Sequence, residues 1–226
     1  MCLAAGFGFA TSAHDSRGTD LRAPNTGNLA GLVRSAEAEV RAEDKTLSGL
    51  QAQVSAATQQ AGTGNSAVAR AQARVAPLKD PGGLTPMHGP GIEVVLDDAP
   101  GQIAGVDPNQ LVVHQSDLQG VVNALWAGGA EAMSIAGQRV IATSAVRCVG
   151  NTLLLNGDVY SPPFRVVAIG PATQLQRQLD ASPAVTLFKQ AAEFYGLGYT
   201  VDAQAHVEVP AYTRPIGLIY ARPLSK

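Results

Sequence analysis

Arg139, Arg147 and Asn156 are the side chains of this sequence best suited to hold a ligand or partner. A guanidinium grips carboxylates and phosphates through paired N–H donors, a fork that lysine cannot copy. The two arginines stand eight residues apart, an even spacing that places both on one face of an unbroken strand. They lie in NALWAGGAEAMSIAGQRVIATSAVRCVG, residues 123–150, where Asn123, Glu131, Gln138, Arg139, Ser144, Arg147 and Cys148 sit among apolar neighbours. Other reactive types lack the surroundings that chemistry needs. Ser144 has no G-x-S-x-G elbow to present it as a nucleophile. His114 and Asp117 are three apart but flank a helix start, where an aspartate is favoured by the helix dipole alone. Cys2 and Cys148 form no CxxC pair, and His14, His88, His114 and His206 are scattered, so no metal or cofactor is expected.

The elements that must position these residues can be read from the pattern. IEVVLDD (92–98) is a strand, and Ser116 with Gln119 makes an S-x-x-Q capping box for the helix that follows. Leu118, Val121, Val122 and Leu125 give that helix one buried face, and Gly128-Gly129 ends it. Trp126 on this helix reads as core. AMSIAG (132–137) is the next strand. VIATSAVRCV and TLLLN form a hairpin turning at Gly150-Asn151, which pairs Val149 with Thr152 and Arg147 with Leu154. FRVVAIG (164–170) is a strand, helices follow over 171–180 and 183–195, and YTVDAQAHVEV (199–209) alternates as a closing strand.

This order, two βαβ halves around a hairpin, predicts an α+β fold: a ferredoxin-like sandwich with an inserted hairpin over 92–209. Alternation then puts Arg139, Thr143, Arg147, Thr152 and Asn156 on the open face of the sheet, which reads either as a solvated face laced with weak cross-strand ion pairs or as a docking surface. Val140, Val146, Cys148, Leu153 and Leu155 fall on the helix-covered face, where Cys148 should be an inert, buried thiol. Should the strand at 132 turn instead at Gly137, only Arg147 keeps its place. The closing strand divides likewise, with Tyr199, Val201, Ala203, Ala205, Val207 and Val209 on one side unless a bulge intervenes.

Before this domain runs a helical pattern over 29–78. Val33, Val40, Leu47, Val54, Ala61, Val68 and Val75 recur every seven residues, each followed three later by a d position interrupted only at Glu43 and Gly64. The seam reads as a coiled-coil spacer forming a weak parallel homodimer, or else as one long helix lying against its own domain, and GTGN at 62–65 should break it. KDPGGLTPMHGPG (79–91) is a linker, residues 14–28 another, and 210–226 a C-terminal tail. Residues 1–13 begin with about ten apolar or small residues, half of the roughly 20 that span a bilayer. They read either as a short apolar start or as the remnant of a transmembrane anchor. The net charge of −2 over 226 residues gives no electrostatic reason to expect nucleic acid.

The segments GPGIEVVLDD, LVVHQSDLQGVVNALWAGGAEAMSIAGQRV, SAVRCVGNTLLLNG and AIG closely resemble the bacterial family called domain of unknown function 881, over about residues 89–209. The resemblance implies a short cytoplasmic tail, one transmembrane helix, a coiled coil and this domain outside the membrane, with genes often near cell-division genes in Gram-positive bacteria, actinobacteria included. It favours the anchor reading of 1–13. It implies no catalytic residue, because the family has no established activity.

The functional expectation is a single-pass cell-membrane protein whose extracytoplasmic domain binds a protein partner of the division or envelope machinery, and not an enzyme. Two other readings compete: a sensor that takes a small anionic ligand on the arginine-bearing face, and an envelope hydrolase. A deep pocket converging on Arg139 and Arg147 favours the sensor, and a flat polar sheet favours the docking module.

Overall fold

The computed structural model describes residues 26–149 and 152–214, with Tyr220 and Arg222. The expected anchor remnant at 1–13, most of the first linker, and the turn residues Gly150 and Asn151 lie outside the described residues. The chain divides into two compact units, Met1–Val68 and Ala69–Lys226.

In the first unit, helix α1 runs over Thr26–Gly64, 39 residues. At a rise of 1.5 Å per residue it is about 58 Å long. It stops where the GTGN sequence predicts, and Asn65 caps helix α2 (Ser66–Lys79) by accepting from Ala67 N–H at 2.9 Å. Leu32, Val40, Leu50 and Val54 are exposed on α1, and Val75 and Leu78 on α2. Among the described residues no helix is long and apolar enough to cross a membrane.

The second unit is an α+β fold. Its main sheet holds β1 (Met87–Asp97), β2 (Ala132–Ile135), β3 (Gln138–Arg139), β7 (Phe164–Ile169) and β8 (Gly198–Val209), in the order β3-β2-β7-β1-β8. Every neighbouring pair is antiparallel. Helices α3 (Gln115–Ala127), α4 (Ala172–Ala181) and α5 (Pro183–Tyr195) join the strands. The expected face of α3 is buried at Leu118, Val121, Val122 and Leu125. It packs with Ile92, Val94 and Leu96 of β1, Phe164 and Val166 of β7, and Leu175, Leu179, Val185 and Phe188 of the other helices. These positions alternate along the strands and repeat every three or four along the helices, which is why one core forms. Ser182 caps α5, Pro183 opens it, and Gly196 closes it with a φ of 78°.

Four expectations need correcting. The strand at 132 does not reach Arg139 unbroken. Ala136 and Gly137, with φ of 49° and 77°, make a two-residue turn that pairs Ser134 with Arg139. The expected hairpin has the expected register, Val149 with Thr152 and Arg147 with Leu154, but belongs to a separate three-stranded sheet. That sheet is β4 (Val146–Val149), β5 (Thr152–Leu155) and β6 (Asp158–Tyr160). The cap of α3 is His114 rather than Ser116, because Asp117 at the third position accepts from His114 N–H at 2.8 Å. Lastly, β8 carries a bulge where the register shifts between Gly89 and Gly91. Tyr199 and Val201 therefore pack in the main core, whereas Val207 and Val209 join Ala132 and Ile169 in a second cluster with Met87 and Val167.

Candidate functional site

The cavity that concerns us occupies about 740 Å³ in the second unit. Helix α3 supplies Gln119, Val122, Asn123 and Trp126 to one wall. The segment from Val140 to Val146, which leaves β3 for the small sheet, supplies another. Pro81, Gly82, Gly83, Glu131, Ile135 and Arg139 complete the lining. Most of the polar-in-apolar stretch singled out in the sequence thus forms one surface. The amphipathic spacing of α3 explains its part: the positions that bury Leu118, Val121 and Leu125 turn Asn123 and Trp126 away from the core.

Trp126 is not core. It is 40% exposed and stands on the cavity wall. Periodicity held the signal, since Trp126 falls one residue past the buried position Leu125, but the apolar character of indole outweighed it. Asn123 accepts from Gln119 Nε2 at 2.9 Å. Ser144 Oγ accepts from Ile141 N–H at 3.0 Å within its own turn.

The three predicted site residues are not brought together. Arg139 lies on the main sheet and is only 4% exposed, not on an open face. Its Nη1 donates to the carbonyls of Thr85 at 3.1 Å and Pro210 at 3.2 Å, and Nη2 lies 3.7 Å from the Met87 sulfur. Its Nε, also buried, has no hydrogen-bond partner among the described residues. Burial pushes the guanidinium pKa down from its ordinary value, yet arginine stays charged in proteins. Gly83, with φ of 74°, closes over it: a Cβ there would lie 3.4 Å from Nε and 2.7 Å from Ile141 Cγ2. Only glycine fits.

Arg147 stands exposed on β4, without an ion pair among the described residues, and does not line the cavity. Asn156 has φ of 54° and, with Gly157, turns β5 into β6. The pair Asn156-Gly157 is itself a two-residue hairpin signal in the sequence. Cys148 is exposed, not buried. It shares its side of the small sheet with Leu153, but β4 is an edge strand, and its sulfur accepts from Gln115 N–H at 2.9 Å on the first turn of α3.

A second polar cluster escaped the sequence altogether. Asp158 on β6 accepts from Gln138 Nε2 and from the Tyr160 hydroxyl, both at 3.3 Å, and pairs with Arg214. Burial, with the Asp158 charge beside it, raises the Tyr160 pKa.

Fold and cavity together define the class: an α+β domain preceded by long helices, open along one flank between α3 and the 140–146 segment. The chain belongs to the family described as bacterial proteins of unknown function, DUF881, which it matches over residues 74–222. It is 32% identical over 136 residues to the UPF0749 protein Rv1823 of Mycobacterium tuberculosis, a match covering 60% of this chain and 44% of that relative. The UPF0749 protein YlxW of Bacillus subtilis is 38% identical over 84 residues, 37% of this chain and 36% of its own. The chain thus spans less than half the length of these two relatives. The UPF0749 protein Rv1825 of Mycobacterium tuberculosis is 29% identical over 236 residues, which covers 99% of this chain and 74% of that protein. A crystal structure of an uncharacterised conserved Mycobacterium tuberculosis protein superposes with a TM-score of 0.50 at 27% identity, covering 67% of this chain and 99% of the other.

Proposed function

We propose that this chain is the extracytoplasmic part of a single-pass membrane protein and acts as an interaction module of the cell envelope or division machinery. The observation that carries the binding part is the open cavity, with an exposed Trp126 on its wall and a buried cation at its edge. Large exposed aromatics and arginines dominate recognition energies, so a cavity combining them suits capture. Turnover is a poorer fit, because no base is hydrogen-bonded to the Ser144 hydroxyl on the cavity wall among the described residues. Within the main sheet, the order of the four longer strands, β2-β7-β1-β8 with β1 and β8 adjacent, supports a ferredoxin-like reading of the domain. The membrane and division parts are supported by the family resemblance.

Topology reporters test the location. A phosphatase fused after Arg222 in the full-length native protein should be active only if the domain lies outside the membrane, whereas a fluorescent protein that folds only in the cytoplasm should stay dark there. The reverse pattern rejects the reading. One observation also favours the sensor reading: Arg139 lines the cavity with no carboxylate paired to it among the described residues.

A further inference from the structure

We propose that the cavity binds a saccharide, a gluco-configured pyranose ring lying against Trp126 with its hydroxyls held by Gln119, Asn123 and Glu131. This rests on the reading of the cavity as a binding site and gives that reading a ligand class.

Helix geometry and strand alternation bring these side chains to one side of the sheet. Gln119, Asn123 and Trp126 stand at i, i+4 and i+7 of α3 and line the cavity, so they are neighbours along one stripe of the helix. The first two are already joined, Gln119 Nε2 donating to Asn123 Oδ1 at 2.9 Å. Glu131 immediately precedes β2, whose Met133 and Ile135 pack into the helix-covered core. Alternation therefore turns Glu131 toward the α3 side as well. Arg139 belongs to the opposite face: it pairs with Ser134, and its Nη1 is committed to the carbonyls of Thr85 and Pro210. The α3 side of the cavity thus carries one carboxylate and no cation, so an anion is not the ligand it selects.

The polar atoms on this side are of both kinds, donors and acceptors. Asn123 Nδ2 carries two donors and Gln119 Oε1 is an acceptor, and neither atom makes a hydrogen bond among the described residues. The Glu131 carboxylate accepts only, and it too is without a partner among the described residues. Thr143 and Ser144 add hydroxyls from the facing segment. Ser144 Oγ accepts from Ile141 N–H, which leaves its own proton to give. An ammonium ligand would satisfy Glu131 and the Trp126 face but leave the amide and hydroxyl donors nothing to donate to. An apolar ligand would strip water from all of them without replacing it. A sugar hydroxyl both donates and accepts, so one ring bearing several of them answers the whole set.

Trp126 supplies the apolar part. Its indole is 40% exposed, a flat apolar surface left in water. The face of an aromatic ring carries partial negative charge. A pyranose with equatorial hydroxyls presents weakly positive C–H bonds on each ring face, so the two surfaces match in shape and in sign. The volume of about 740 Å³ lies within the roughly 300–1,000 Å³ of small-molecule sites and exceeds one hexose. A free sugar and a unit of a glycan chain share this chemistry.

Trp126 is the single tryptophan of the chain, so its fluorescence reports occupancy directly. The intact 226-residue protein would be titrated with glucose, cellotetraose, sorbitol and choline. Saturable changes with both sugars are expected, with at least tenfold weaker response to sorbitol, which has the hydroxyls but no ring face. Cellotetraose binding at least tenfold tighter than glucose identifies a glycan chain; equal affinity identifies a free sugar. Sorbitol acting like glucose overturns the proposal. Saturation by choline but by neither sugar also overturns it, while keeping the cavity as a binding site. No saturation by any of the four overturns both. Trp126 and Asn123 are exposed, so Trp126→Ala and Asn123→Ala should keep the Tm unchanged. Calorimetry should show sugar binding at least tenfold weaker in the first variant and at least threefold weaker in the second. Binding unaffected by either substitution sinks the assigned contacts.

Discussion

Cys148 and Leu153 face each other across β4 and β5, yet Leu153 is buried and the thiol is exposed. Alternation assigns a side of the sheet but not how far the core extends beneath it, and at an edge strand the core gives out. Cys148 should therefore react with a small thiol reagent in the native protein nearly as fast as after unfolding; strong protection would restore the buried placement. Tyr199 is the opposite case. Burial, with the charge of Asp180 nearby, pushes its phenol pKa up to about 12. The raised value means that the native state prefers the neutral phenol. The resulting stability is complete below the unfolded pKa of about 10 and is lost as pH rises toward 12. Ultraviolet titration should show Tyr199 ionising after the ordinary tyrosines, and Tyr199→Phe should flatten the alkaline loss of stability. An identical alkaline limb in Tyr199→Phe counts against this assignment.

At the scale of elements, helices and strands were the most legible parts of the sequence. Leu118, Val121, Val122 and Leu125 mark α3, and Ser182-Pro183 with Gly196 frame α5, because caps and periodicity are local. What stayed hidden was non-local. Nothing local announces the β8 bulge, and the alternation from Tyr199 to Val209 runs straight across it. Residue type alone marks Arg139 as a candidate, but its burial depends on Thr85 and Pro210, 54 and 71 residues away. The seam on α1 is a local signal with an outcome still to be measured. Leu50 and Val54 are 53% and 66% exposed on adjacent turns, with Val40 exposed further back. A helix bearing such a stripe gains by pairing it with a second copy. Small residues at several d positions limit the buried area, so a dissociation constant in the micromolar range is expected. Sedimentation equilibrium should show self-association that Val54→Asp weakens at least tenfold. A monomer at every concentration, unchanged by that substitution, would falsify the pairing.

For the α+β unit as a whole, the decisive feature is that its first and last segments are tied at one place. Sequence alternation stops at Val209 and marks 210–226 as a tail. Instead, Tyr212 N–H donates to the Gly83 carbonyl at 2.8 Å, and Arg139 bridges Thr85 and Pro210. Arg214 reaches Asp158 on the small sheet, whose other partners are Gln138 and Tyr160. Residues 210–214 therefore link the main sheet, the small sheet and the segment before β1. Removing 210–226 strips an acceptor from Arg139 and the cation from Asp158. Unsatisfied buried partners cost about 1–3 kcal/mol each. A total loss of roughly 2–5 kcal/mol should lower Tm by about 5–15 °C for a unit of this size. Asp158→Asn tests the route of that loss. In the intact chain it should cost about 1–3 kcal/mol, since the ion pair with Arg214 is largely shielded from solvent. In the truncated chain Arg214 is gone, so the same substitution should cost clearly less, and the two effects should not add. Calorimetry of the four proteins in this cycle gives the coupling directly. Strictly additive losses, or a truncated chain that melts with the intact one, would show that the tail contributes nothing through Asp158.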